Sequence, residues 1–275
     1  MKVAVAGKGG VGKTTLCAAL AHAFAHQGRE VMAVDADPNN CLGPALGFPE
    51  ELVASITPIC EMRELLCERA GTSEGGGFFN ISPEVDDLIE RFSVRHGGIR
   101  LLVMGTISSG GSGCACPESA VLRALTREIV TGERGVLLMD MEAGLEHLGR
   151  GTSRYMDALI IVAEPTQAST RTAERIIALA RDLGLHKLFV VANKVRTRED
   201  AAFVDRHTAP PLIGHLPFVE ALGWVGGSAP GPGARSSDRA NVATPEEVAP
   251  ETGEFLAVVE QIKQRLEKEL GARPA

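Results

Sequence analysis

Aromatic residues are scarce: Phe, Trp and Tyr make up 4% of the 275 residues, with one Trp and one Tyr. A core must then be filled by Val, Leu, Ile and Ala, the residues that parallel strands buried on both faces prefer. Hydrophobic residues at 44% are enough to fill one of good size. No uninterrupted apolar run approaches the roughly 20 residues that cross a bilayer. The opening MKVAVAGKGG lacks the basic head, apolar stretch and small-residue cleavage site of a secretory signal. No long basic run is present, and 28 Lys plus Arg against 35 Asp plus Glu give a formal charge of -7. That balance argues against nucleic acid as the principal partner. Six cysteines in such a chain read as thiols or metal ligands rather than disulfides. A cytoplasmic globular protein is the expectation.

What is present is an alternation. Residues 2–6, 30–34, 100–104, 136–139, 158–162 and 188–192 are short apolar runs that read as buried strands. Residues 14–26, 119–131 and 170–183 between them read as helices. The pattern predicts an α/β fold over 1–275: one doubly wound domain with a mainly parallel sheet and helices on both faces. No internal repeat of fixed period is visible. Residues 71–77 (GTSEGGG) read as a flexible turn, and 226–250, rich in Gly, Pro, Ala and Ser, as a long surface loop. A final helix over about 252–270 carries Phe255, Val259, Ile262, Leu266 and Leu270 at helical spacing. That stripe could lie on a membrane surface, but Glu260, Glu267 and Glu269 interrupt its basic character and favour docking on the body.

Gly7-Lys8-Gly9-Gly10-Val11-Gly12-Lys13-Thr14 satisfies G-x-x-x-x-G-K-[ST] between a predicted strand and a predicted helix. The glycines let backbone N–H groups turn inward around phosphates, and the helix N-terminus adds positive potential. Lys13 is placed to reach the β- and γ-phosphates and the Thr14 hydroxyl to hold Mg²⁺, with Thr15 beside it in the nucleotide site. The strand at 136–139 ends in Asp140, where the carboxylate that holds Mg²⁺ through water belongs. Val34-Asp35-Ala36-Asp37-Pro38 ends another strand in two carboxylates. Open α/β sheets bind ligands at that end of their strands. Asp35 reads as support for the Mg²⁺ shell or the loop, with capping of a turn as the alternative.

Two thiols stand one residue apart in Gly110-Gly111-Ser112-Gly113-Cys114-Ala115-Cys116-Pro117. Two thiolates cannot complete a tetrahedral soft-metal site. An isologous dimer presents the same patch twice and would supply the other pair. Such a set suits Zn²⁺, Ni²⁺ or an iron–sulfur cluster; two ordinary reduced cysteines are the plain alternative. Cys60 and Cys67 read as sharing one helix face in the core, Cys17 as buried in the first helix, and Cys41 as packed rather than facing the nucleotide. His147 reads as a solvated histidine or a partner-facing group.

The second lysine of KGGVGKT resembles the deviant Walker A loop of the MinD/ParA/nitrogenase iron protein class. The resemblance implies that Lys8 crosses a nucleotide-bound dimer interface and acts like an arginine finger on the partner's phosphates. It also implies that Asp37 sits in switch I and orients or activates the attacking water. Gly144, in Asp140-Met-Glu-Ala-Gly144, would be the switch II glycine. Asn193 would read the purine base with Lys194 beside it, and Leu216-Pro217-Phe218 would form a turn lining the base. Arg196 stands where a guanine-specific N-K-x-D would have its aspartate, which favours adenine.

Within that class AVAGKGGVGKTT, AVDADPNNCLG, ITPICEM, GGSGCACPE, MDMEAGLEHLGRG and VVANKVR resemble the CooC-type ATPases, which mature nickel-containing carbon monoxide dehydrogenase. The resemblance covers most of the chain, and C-x-C between the two switch elements is its specific mark. It implies an ATP-dependent homodimer with Zn²⁺ or Ni²⁺ bridged by Cys114 and Cys116 of both subunits, and the dehydrogenase as partner. The net charge and the acidic final helix argue against a nucleic-acid partner and stable membrane anchoring. Two other readings stand beside it: a reductase component donating electrons through a bridged iron–sulfur cluster, and a positioning ATPase on membrane or DNA. Nothing in the family pattern accounts for 226–250.

Overall fold

The computed structural model describes residues 1–71, 80, 83–105, 120–121, 124–125, 135–142, 156–220 and 250–271. Strands β1 (Lys2–Gly7), β2 (Val31–Ala36), β3 (Val94–His96), β4 (Ile99–Val103), β5 (Val136–Met141), β6 (Ala158–Ala163), β7 (Leu188–Val195) and β8 (Leu212–Pro217) form one sheet. Its order is β3-β4-β2-β5-β1-β6-β7-β8, and every pairing is parallel except the β3–β4 hairpin. Residues of β2, β5 and β6 are buried throughout, so the strands read as continuous apolar runs because both faces are covered.

The described helices are α1 (Lys13–His26), α2 (Leu42–Ala45), α3 (Glu50–Ala54), α4 (Arg63–Ala70), α5 (Asp86–Phe92), α6 (Gln167–Asp182), α7 (Arg198–Arg206) and α8 (Pro250–Leu270). Two apolar layers result. One joins α1 and α8 to one face of the sheet through Leu16, Leu20, Phe24, Phe255, Val259 and Ile262. The other joins α4, α5 and α6 to the opposite face through Leu66, Leu88, Ile176 and Ile177. Leu16, Leu20 and Phe24 recur at helical spacing and are each 0% exposed, so α1 is fixed against the sheet along its length.

All six expected strands are present. Two were not foreseen. β3 and β4 are joined by Gly97 and Gly98, with φ 56° and 79°. Both values suit the two-residue turns that match strand twist, which glycine enters without steric cost. β8 takes in Leu216 and Pro217, so the expected turn there is the end of an edge strand, with Phe218 just beyond it. Proline is tolerated at such an edge because no ladder donor is lost to a neighbour.

Residues α8 was expected to dock with, Phe255, Val259, Ile262 and Leu266, are each 3% exposed or less. Burying each is worth about 1.5–3 kcal/mol, more than an exposed stripe would return. Arg29 Nη1 lies 3.4 Å from Glu267 Oε1, and Lys187 Nζ donates to the Glu269 carbonyl at 3.0 Å, which pins the helix at its far end. Among the described residues no helix is long and apolar enough to cross a membrane.

Cys60 and Cys67 do not share a helix. Cys60 lies in a single 3₁₀ turn (Ile59–Glu61), and the chain turns at Met62, ψ 59°, before α4 carries Cys67. Cys17 is buried within α1 as expected from its place between Leu16 and Leu20. Cys114, Cys116, Gly144, His147, the 72–77 segment and 226–249 lie outside the described residues.

Candidate nucleotide site

The phosphate loop joins β1 to α1 at the carboxyl edge of the sheet. Gly7 passes so close to β6 that a Cβ there would run into the Val162 carbonyl. Gly12 takes φ 95° as the residue before α1, and a Cβ on it would strike the Asn193 amide. Only glycine fits both places. No side chain caps α1, so the N–H groups of its first turn stay directed at the loop's concavity. A cavity of about 410 Å³ opens there. Gly9, Gly10, Gly12, Lys13, Thr14 and Thr15 form one end of it. Pro217, Phe218, Val219 and Phe255 form an apolar wall at the other, with Asn193 and Lys194 between. Lys8, half-buried, is not one of the residues lining it.

Three carboxylates stand beside the phosphate end. Asp35 and Asp140 are register partners on adjacent strands, and each is 0% exposed. Thr14 Oγ1 donates to Asp140 Oδ2 at 2.6 Å, while Asp140 Oδ1 is buried with no hydrogen-bond partner. Burial, with the Asp35 charge adding to it, pushes the Asp140 carboxyl up to about 7 against the pull of Thr14. Asp35 is pushed up to about 6, again by burial first, although it accepts from the N–H groups of Asp37 and Leu42 at 3.2 and 2.9 Å. Those two bonds hold the 36–42 turn, so Asp35 is engaged with the loop's backbone. Asp37 accepts from Asn39 N and Nδ2 and lies 4.0 Å from Lys13 Nζ.

A buried carboxylate oxygen without a donor is expensive. A divalent cation held between it and the adjacent hydroxyl removes that cost, so Asp140 and Thr14 fit Mg²⁺ by the chemistry of the donor set. Among the described residues no cluster of His, Cys, Asp and Glu forms a softer metal site.

Cys41 lines the cavity rather than packing in the core; its Sγ donates to the Asn39 carbonyl at 3.4 Å. The turn held by Asp35 delivers it there. At the other end, Asn193 Nδ2 donates to the Val11 carbonyl at 2.7 Å, so its amide is engaged with the phosphate loop. Arg196 Cζ stacks 4.2 Å over the Phe218 ring. Asp200 holds that arginine's backbone by accepting from Arg196 N and Thr197 N at 2.9 and 3.0 Å, as part of the capping box of α7. Phe255 and Val219 were not foreseen as lining residues. Phe255 sits in the apolar stripe of α8, a signal that says buried but not against what.

This loop at a strand–helix junction, backed by Thr14 and Asp140, defines a P-loop nucleotide-binding protein. The family model described as the CobQ/CobB/MinD/ParA nucleotide binding domain matches residues 2–225. The carbon monoxide dehydrogenase accessory protein CooC of Rhodospirillum rubrum is 48% identical over 81% of this chain and 85% of its own length. An uncharacterized ATP-binding protein of Methanocaldococcus jannaschii is 43% identical over 81% and 87%. The solved MinD of Pyrococcus horikoshii with Mg-ADP superposes with a TM-score of 0.63 at 17% identity, covering 98% of this chain and 97% of that one, a likeness of fold. The chain belongs to the CobQ/CobB/MinD/ParA nucleotide-binding family and, within it, to the CooC type. Its activity class is that of an ATPase.

Proposed function

We propose that the chain is an ATP-hydrolysing, homodimeric metallochaperone of the cytoplasm that assists nickel insertion into carbon monoxide dehydrogenase. The observation that carries it is the phosphate loop beside the Thr14–Asp140 hydrogen bond, together with 48% identity to a carbon monoxide dehydrogenase accessory protein.

In this reading the N–H groups of Gly9, Gly10, Val11 and Gly12 and the Lys13 ammonium bind the phosphates, with Thr15 at the start of α1. Mg²⁺, held by Thr14 and Asp140, supplies charge neutralisation on the β- and γ-oxygens. Asp37, the partly buried carboxylate near Lys13, orients the attacking water. Asp35 holds the turn that carries Asp37, so the two act as one switch element with Gly144. Asn193 and Lys194 complete the nucleotide site, and the Pro217–Phe255 wall receives the base. Arg196 in place of an aspartate leaves guanine without its carboxylate partner. Lys8, directed outside its own cavity, reaches a partner's phosphates across a two-fold interface. Hydrolysis then changes the dimer, and with it the bridge formed by Cys114 and Cys116 of both subunits, which holds Zn²⁺ or the nickel cargo.

Metal content and mass of the anaerobically purified protein, beside Cys114→Ser/Cys116→Ser, test this. The expected result is about half an equivalent of Zn²⁺ or Ni²⁺ per chain on a dimer, lost in the double variant. Iron and sulfide in its place would make the chain an electron carrier with a bridged cluster. No metal in either protein would remove the metallochaperone role.

A further inference from the structure

Lys194 is strained, and the strain has a visible return. Among the described residues it is one of two non-glycine residues with positive φ, at 59°. A long side chain in that region persists only where its surroundings over-determine it. It stands at the end of β7, where the pairing with β8 shifts register between Ala192 and Val195. Such irregularities re-aim side chains beside sites. Here the result is that Lys194 Nζ donates to the Gly10 carbonyl at 2.7 Å and lies 3.3 Å from Glu164 Oε2. One residue back, Asn193 Nδ2 donates to the Val11 carbonyl at 2.7 Å, and Asn193 Oδ1 accepts from Lys194 N at 2.8 Å. Consecutive carbonyls of the phosphate loop are therefore each held by consecutive side chains of β7.

Glu164 follows β6 directly and is itself fixed. Its N–H donates to Ser169 Oγ at 3.0 Å, and Ser169 N donates to Thr166 Oγ1 at 3.3 Å in the cap of α6. A trans peptide turns its C=O and N–H to opposite sides, and no cis bond occurs among the described residues. Val11 N–H donates to the Lys8 carbonyl at 3.4 Å within the loop, and holding the Val11 carbonyl outward sets the Gly12 N–H on the phosphate side. An ion pair as exposed as Glu164–Lys194 contributes little by itself. The carboxylate's part is to hold the ammonium over the Gly10 carbonyl.

We infer that Glu164 and Lys194 form a positioning pair for the triphosphate, acting through the Gly10–Val11 backbone and not through contact with the base; this rests on the ATPase reading above. The pair ties β6 and β7 to the loop, so phosphate binding depends on strand ends that do not carry the motif.

The test is steady-state hydrolysis of ATP and GTP by Glu164→Gln, Lys194→Ala and Lys194→Arg, with inorganic tripolyphosphate as competitor. Loss of one charge-assisted hydrogen bond predicts that KM for ATP and the inhibition constant for tripolyphosphate rise together, about tenfold, in Glu164→Gln and Lys194→Ala. The ATP-to-GTP preference stays as in the parent, and Lys194→Arg recovers most of the loss. A changed ATP-to-GTP preference with unchanged tripolyphosphate inhibition would make Lys194 a base contact and overturn the inference. A lower melting temperature with unchanged KM and inhibition constant would make the pair merely structural and overturn it equally. Failure of the parent protein to hydrolyse ATP would instead sink the ATPase reading, and the inference with it.

Discussion

The two ends of the cavity are built on opposite principles. At the phosphate end, the contiguous Gly7–Thr14 loop forms the cradle, lined largely by backbone and the Lys13 ammonium, with the buried carboxylates of β2 and β5 behind it. At the base end, Asn193, Pro217–Val219 and Phe255 come from three separated segments, and the surface is mostly apolar. Phosphate chemistry is the same for every nucleotide and demands one geometry, so it is written as a contiguous motif. A purine face asks only for flat apolar area and a few polar contacts, which many arrangements of chain can supply.

The phosphate end is where a single substitution does most. Asp140→Asn removes the carboxylate that fits Mg²⁺, and hydrolysis is expected to fall by about 10³-fold. The same variant alters the response to pH. The Asp140 carboxyl is raised to about 7 in the folded chain, above its unfolded value. Between those values the folded state binds more protons than the unfolded one, so stability without nucleotide falls as pH rises toward 7 and is greatest below the unfolded value. Mg²⁺ needs the deprotonated form, so its affinity climbs over the same range. Melting curves from pH 5 to 8, with and without Mg·ATP, should show the apo protein losing on the order of 5 °C and the Asn variant losing less. An equal slope in both would remove Asp140 from the account of that dependence.

Phe255→Ala attacks the base end, with a smaller effect on catalysis. The ring is 3% exposed and joins α8 to the cavity. Truncation should cost about 3–4 kcal/mol of stability, read by denaturant unfolding. It should also weaken ATP several-fold while leaving inorganic tripolyphosphate unaffected. An equal loss for both ligands would show that the ring supports the whole cavity and not its base end.

The same contrast explains what could be read in advance. The loop, Asp140 and the six buried strands were legible because each is a local pattern: a motif with fixed spacing, or an apolar run between turns. Strand β3 was missed although Gly97-Gly98 between short strands is a hairpin signal; its exposed residues hid the apolar pattern. Strand β8 was missed because Gly214, His215 and Pro217 dilute its alternation. Phe255 was legible as buried, but its place on the cavity wall depends on how α8 crosses β8, a tertiary fact. The Asn193 amide, expected to face the base, also ties β7 to the phosphate loop by donating to the Val11 carbonyl, a contact that depends on tertiary packing. Cys41 was read as packing, and it lines the cavity because Asp35 draws the turn inward through Leu42 N.

In the proposed dimer hydrolysis requires two chains, one supplying the loop and the other Lys8. Lys8→Ala and Lys13→Ala should each be nearly inactive alone, Lys8→Ala by about 10³-fold. Mixing the two in equal amounts pairs an intact loop with an intact Lys8 in the heterodimer. Recovery of ATP hydrolysis in the mixture, to roughly a quarter of the parent rate from random pairing, is the predicted result. A mixture no more active than its components would contradict the shared site.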